Sequence, residues 1–234
     1  MFKVYIMNLG KYNQGDLIGE WLTLPAEQKE IQEVFNNIGI NELYEEYIIA
    51  DYENTFDFKI SEYSNIEELN QVAEYLEGLD EYEQQQVNAL LDGGYIDYKN
   101  LANEDIELDN YIFVELDQNT ILSDESNLAY SLIDTFYNGD LSHIENIGYY
   151  FNLEKFARDL YFNFDVIVDG MDKEDIEDLE KLSKEEFANW YIEGLDSIEE
   201  LGQQTLENYF DYESYGRDLI FNGAYIANNG IAIL

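Results

Sequence analysis

Carboxylates outnumber cationic side chains by 52 to 11 in a chain of 234 residues, giving a formal net charge of −41. A chain that repels itself this strongly folds only if it carries enough apolar surface to offset the conformational entropy it loses. With 46% hydrophobic and 15% aromatic residues that condition is met, and a folded body with an acidic surface is expected rather than a disordered tail. The acidity is not a local block. Residues 61–110 hold 14 acids against one base, Lys99, and acids exceed bases in the segments before and after as well.

The same inventory argues against several chemistries. Without cysteine there is no disulfide and no thiolate nucleophile, which suits a reducing compartment. The sole histidine, His143 in "GDLSHIEN", excludes multi-histidine zinc sites and argues against a Ser-His-Asp triad. It is expected to be an exposed residue at a turn or helix start. No G-x-x-x-x-G-K-[ST] phosphate loop occurs, and neither "DQNTILSDE" nor "DGMDKEDIEDLE" has the glycine that a calcium loop needs at its sixth position. Two carboxylates at the right separation could hydrolyse glycosides, but among 52 acids any pair could be chosen. No catalytic site, metal or cofactor is expected. "MFKVYIMNLG" lacks the apolar core of a secretion signal, and no apolar run approaches the roughly 18 residues of a membrane span. A cytoplasmic location away from membranes is expected.

Local patterning gives an α+β chain of small modules. "FKVYIMNL" and "IGEWLTLP" read as strands around a turn-rich "GKYNQGD". Pro25 opens a helix whose Ile31, Val34, Phe35 and Ile38 share one face before Gly39, and "YEEYIIADYE" returns as a strand. Residues 1–62 form the first module. Ser64 and Glu67 have capping-box spacing, and a second helix in "DEYEQQQVNALLDGG" ends on a glycine pair, so 63–104 is expected to be helical. "NYIFVELDQNTIL" reads as strand and "ESNLAYSLIDTFYNG" as helix. Ser183/Glu186 and Ser197/Glu200 are further capping boxes. Modules of 105–170 and 171–234 complete the division.

Those last two modules carry an internal repeat. "YFNLEKFARDLYFN" from Tyr150 aligns without gaps on "YFDYESYGRDLIFN" from Tyr209, at an offset of 59 residues. The chain's only two arginines, Arg158 and Arg217, occupy equivalent places. Each has a glutamate four residues earlier, Glu154 or Glu213, in the favourable helical orientation. Each copy is followed by a β-like run, "DVIVDG" or "AYIANNGIAIL". The arginines are read either as structural ion pairs or as anchors between modules or subunits. As scaffold, Arg217 replaced by alanine is expected to harm folding or dimerisation more than surface charge.

What remains is the field of the whole molecule. Duplex DNA carries one negative charge per about 1.7 Å of axis, so 41 charges correspond to roughly 70 Å of duplex, or about 20 base pairs. Such a surface could occupy the basic groove of a DNA-binding protein while binding no nucleic acid itself. The candidate phosphate mimics are Glu67, Glu68, Glu74, Glu77, Asp80, Glu81 and Glu83 on the middle helices, with Glu199, Glu200 and Glu207 near the C-terminus. An acidic chaperone for basic proteins is the alternative for an interaction protein, and a carboxylate-dependent hydrolase the alternative for an enzyme.

Three segments resemble the N-terminal half of the ArdA antirestriction proteins: "KVYIMNLGKYNQGDLIGEWLTLP", "YEEYIIADYE" and "YSNIEELNQVAEYLEGL". "LENYFDYESYGRDLIFNGAYIANNGI" is similar to the segment that bears that family's antirestriction motif. The resemblance implies an elongated, modular α+β protein, a curved rod that dimerises through its C-terminal region. It implies a DNA mimic from a phage, plasmid or transposon that fills the DNA groove of type I restriction-modification subunits in a bacterial host. A CRISPR effector is a second class of target. Motif residues are Tyr209, Phe210, Asp211, Tyr212, Glu213, Tyr215, Gly216, Arg217, Asp218 and Leu219. The repeat supplies Tyr150, Phe151, Glu154, Phe156, Arg158, Asp159 and Leu160. The sequence departs from the family in carrying this extra copy, with Ala157 in place of the motif glycine.

Overall fold

The computed structural model describes residues 2–103, 106–195 and 197–234, with the side chain of Glu199 left aside. The fold is α+β, and the chain forms two compact units: Met1–Phe113 with Tyr225–Leu234, and Val114–Ala224.

The first unit runs β1 (Phe2–Asn8), α1 (Leu9–Tyr12), β2 (Gly19–Leu24), α2 (Gln28–Ile38), β3 (Tyr47–Glu53), α3 (Ile66–Gly78), α4 (Glu81–Asp92) and α5 (Tyr98–Ala102). Strand β1 is central, antiparallel to both β2 and β3. Alternation puts Phe2, Val4 and Ile6 on one face, where Leu22 and Leu24 of β2 join them. Ile31, Val34 and Ile38 of α2 and Leu69, Val72, Ala73 and Leu76 of α3 close that core.

Asn8 is fully buried at the end of β1. Its Nδ2 donates to the carbonyls of Ile38 (3.3 Å) and Gly39 (3.0 Å), and its Oδ1 accepts from Lys11 N–H (3.0 Å). The Lys11 ammonium also donates to the Ile38 carbonyl, at 3.1 Å. An amide and a cation thus satisfy the free carbonyls that end α2, where a positive charge is favoured. This gives "NLGKYN" a structural reason. Gly10 belongs to it too, because a Cβ there would overlap the Tyr44 ring.

β4 (Phe113–Glu115) spans the passage into the second unit, and only these three residues of "NYIFVELDQNTIL" are strand. The second unit continues α6 (Asp124–Tyr137), α7 (Leu153–Tyr161), α8 (Phe164–Ile167), α9 (Lys173–Leu179), α10 (Lys184–Glu193), α11 (Gln203–Tyr209) and α12 (Tyr212–Phe221), with single 3-10 turns between. Helix α12 packs on α6, and α7 packs on α10. The chain then returns to the first unit as the hairpin β5 (Tyr225–Ile226) and β6 (Ile231–Ile233). Asn228 fastens it there, through its N–H and Nδ2 to the Asp92 carboxylate, both at 2.8 Å.

Three local expectations need correcting. Ser64 does not cap α3: it is buried and accepts from Ser61 N–H, while Asn65 caps the helix through Glu67 and Glu68 N–H. Ser197 makes no side-chain cap, since Ile198–Leu201 is a 3-10 turn and the α-helix begins only at Gln203. "DVIVDG" is helical turn, not strand, because Phe164 and Val168 both reach the apolar cluster around Phe187. The box at Ser183/Glu186 does form.

The clamp at Asn8 offers a direct check. Asn8→Ala leaves the α2 carbonyls and Lys11 N–H short of partners and should lower the unfolding free energy by about 2 kcal/mol. Urea denaturation followed through Trp21 would measure it; a loss of a few tenths would refute the assigned role.

Candidate functional site

The acids named from sequence fall into two groups. On α3, Glu67, Glu68, Glu74 and Glu77 are all exposed. They span ten residues, or about 15 Å at 1.5 Å of rise per residue. The mean axial interval is roughly 5 Å, of the same order as the roughly 3.4 Å per charge of a single DNA strand. Glu67 and Glu74 lie two turns apart on one line, with Glu68 and Glu77 to either side. No Lys, Arg or His occurs from residue 60 to residue 98, so nothing on α3 or α4 dilutes this field. The field is felt locally: burial pushes the Tyr47 hydroxyl up, and the Glu67 and Glu68 carboxylates add to the rise. On α4, Glu81 is exposed, whereas Asp80 and Glu83 form a capping box.

Near the C-terminus the acids are more heavily engaged. Glu200 is exposed, and Glu207 is exposed but accepts from Gln203 Nε2 at 2.8 Å. Glu199 has its side chain outside the described residues. Asp211 caps α12, accepting from Ser214 N–H (3.0 Å) and Oγ (2.9 Å). Glu213 accepts from Arg217 at 2.8 Å, and Asp218 accepts from the Tyr150 hydroxyl at 2.9 Å.

The two arginine phrases meet. Phe151 and Phe210 form an antiparallel bridge, flanked by Asn152 N–H to the Tyr209 carbonyl (2.7 Å) and Asp211 N–H to the Tyr150 carbonyl (2.6 Å). Around it the rings of Tyr150, Phe151, Phe156, Tyr209, Phe210, Tyr212 and Tyr215 pack edge-on or tilted at centroid separations of 4.8–5.9 Å. Leu160 and Leu219 are half-buried behind them. The arginines themselves stand outside. Their side chains are 57% and 61% exposed, and Arg158 engages its neighbour Asp159 at 3.1 Å instead of Glu154. Only Glu213–Arg217 keeps the expected i,i+4 contact. Exposed pairs contribute about 0.2–1 kcal/mol, so the Glu213–Arg217 contact is a small stabilising term beside the packed rings.

Sequence reasoning missed two supports. Lys155 donates to the Asn208 carbonyl at 2.9 Å and lies 5.2 Å over the Tyr209 ring. Asn152 caps α7 as Asp211 caps α12; both are N-cap residue types, which is the signal their differing identities concealed. The Ala157/Gly216 difference also has a cause. A Cβ at Gly216 would overlap the backbone carbonyl of Glu125, because α6 approaches α12 closely there.

The acidic helix pair thus carries no cation, and the motif packs its rings together while its charged side chains stay outside. Among known families, the one described as Antirestriction protein (ArdA) matches residues 4–173. The chain belongs to the ArdA family of antirestriction proteins. The matched span includes the first copy of the phrase and ends before the second. A comparison with curated proteins returns no match. Among the described residues, no helix is long and apolar enough to cross a membrane.

Gly216→Ala should destabilise the second unit by about 2 kcal/mol through overpacking against the α6 backbone, read from Trp190 during urea unfolding. Neutral stability would mean that α6 yields easily. Alkali supplies another test. Burial is the main reason that Tyr212 and Tyr215 are pushed up to about 12, with Glu207 then Tyr130 adding for the first and Tyr137 then Tyr150 for the second. Both hydroxyls stay neutral in the folded unit while their unfolded counterparts ionise near pH 10. Stability is then intact below pH 10 and is lost as pH climbs towards 12. Tyr215→Phe, which keeps the ring, should flatten that loss; an unchanged pH profile would contradict the assignment.

Proposed function

We propose that the chain inhibits restriction-modification enzymes as a DNA mimic, occupying the DNA-binding groove of the specificity and methyltransferase subunits of a type I enzyme. The observation that carries this reading is the run of exposed carboxylates on α3, at a mean axial interval of about 5 Å within a stretch that holds no cation. A basic groove that evolved to accept phosphates gains the same released counterions from these groups, and charge complementarity steers the encounter. Membership of the ArdA family supports the choice of target. The inhibitor works without catalysis, in the cytoplasm where these enzymes meet incoming DNA. Its inhibitory groups are distributed, and the arginine phrase contributes scaffold rather than contact.

Two variants separate this mechanism from a discrete site. Replacing Glu67, Glu68, Glu74 and Glu77 together by Gln should raise the inhibitory concentration against a type I enzyme by about fourfold to several hundredfold, at about 0.2–1 kcal/mol per group, while each single change costs no more than about fivefold. Arg217→Ala should remain close to the parent. Duplex DNA should compete with the inhibitor. A single acid whose loss abolishes inhibition would instead indicate a catalytic or anchoring residue. Inhibition of other defence nucleases, with type I enzymes untouched, would move the target and keep the mimic.

A further inference from the structure

Contacts between the two phrases are reciprocal. Adding 59 to a residue of the first copy gives its counterpart in the second, and a set of contacts between the copies recurs with the two partners exchanged. Asn152 N–H to Tyr209 is matched by Asp211 N–H to Tyr150. The Tyr150 hydroxyl reaches Asp218 at 2.9 Å, and the Tyr209 hydroxyl reaches Asp159 at 3.3 Å. Tyr150 packs on Phe210 as Tyr209 packs on Phe151, both at 5.9 Å. The Tyr150–Tyr215 contact at 4.9 Å repeats as Tyr209–Phe156 at 5.2 Å.

The exchange extends to whole helices. At the same offset, Leu128 and Ala129 of α6 correspond to Phe187 and Ala188 of α10, all four of them fully buried. Helix α6 of the first copy packs on α12 of the second, and α10 of the second packs on α7 of the first. Each copy therefore completes its core with a helix of the other. A surface in which residue i meets j while j's equivalent meets i's is self-complementary, the form that two identical subunits use about a two-fold axis.

We propose that the second unit is a dimer built within one chain: the self-complementary face of each copy takes the other copy as its partner, and the protein is monomeric. The C-terminal dimerisation implied by family resemblance is thereby replaced by pairing in cis. Tethering decides the competition. Two faces joined through a few tens of residues meet at an effective concentration on the order of millimolar, far above that of separate chains in solution. The closed pair leaves no copy of the face free for a second molecule.

Mass and one engineered crosslink test this. By sedimentation equilibrium the chain should stay at 27.4 kDa from about 1 to 100 μM. Phe151 and Phe210 form a non-hydrogen-bonded antiparallel pair, whose Cα atoms lie about 4.5 Å apart, within disulfide reach. The chain has no cysteine of its own, so the double variant Phe151→Cys/Phe210→Cys should oxidise to a single intrachain bond, migrating as one chain on a non-reducing gel. Twice the monomer mass within that range, or a disulfide that links two chains, overturns the proposal. So does failure to crosslink in a double variant that retains the native circular dichroism. Where the cysteines prevent folding, the mass of the unaltered protein decides alone.

Discussion

Repulsion among 52 carboxylates sets the terms on which this chain can fold, and the structure meets them by strict separation. The buried polar residues among those described are Asn8, Ser64, Asn70, Asn127 and Ser131, all of them neutral. Among the described residues no ionisable group is buried, so the desolvation cost that an acidic interior would carry does not arise there. The apolar cores must then be closed by amides, backbone and rings. Asn8 and Asn70 exemplify the first. Asn70 accepts from Ala26 N–H at 2.7 Å and donates to Glu74 at 2.8 Å, so one buried amide joins the loop before α2 to α3 and leaves the carboxylate outside. In the second unit aromatic rings take over, because a ring buries large area and its hydroxyl can still reach a surface acid.

Much of this was legible in the residues. The strands β1, β2 and β3 and the helices α2, α3, α4, α6 and α10 follow from period-two and period-3.6 patterning with their turn residues. Caps were less secure. Ser64 lost the α3 cap to its neighbour Asn65, since both residue types can cap and only tertiary burial chooses between them. "DVIVDG" has strand composition, yet a short β-branched run has no strand beside it to pair with, and packing around Phe187 held it as a turn of helix. The acidic surface was readable from composition, whereas which acids are engaged, Glu74 by Asn70 on α3 and Asp211, Glu213 and Asp218 around α12, depended on hydrogen bonds that no spacing reveals.

The repeat shows where sequence and structure diverge most. Two arginines in matching phrases drew notice because arginine is so scarce in this chain. In the structure they are solvent-facing, while Tyr150, Tyr209, Asp159 and Asp218 exchange hydrogen bonds across the pairing. Identity at equivalent positions was the right signal: the expected ion pair forms at Glu213–Arg217 alone, whereas the tyrosine-to-aspartate contacts occur in both copies. Gly216 against Ala157 records how that symmetry breaks: α6 approaches more closely on one side than a Cβ allows.

The central claim is that the carboxylate surface substitutes for phosphates, and its most direct test is the salt dependence of affinity for a type I restriction-modification enzyme. If several carboxylates replace phosphates in a basic groove, the association constant should fall log-linearly with salt, by roughly tenfold or more between 50 and 200 mM. An affinity that holds constant across that range would mean that the acids do not make the contact.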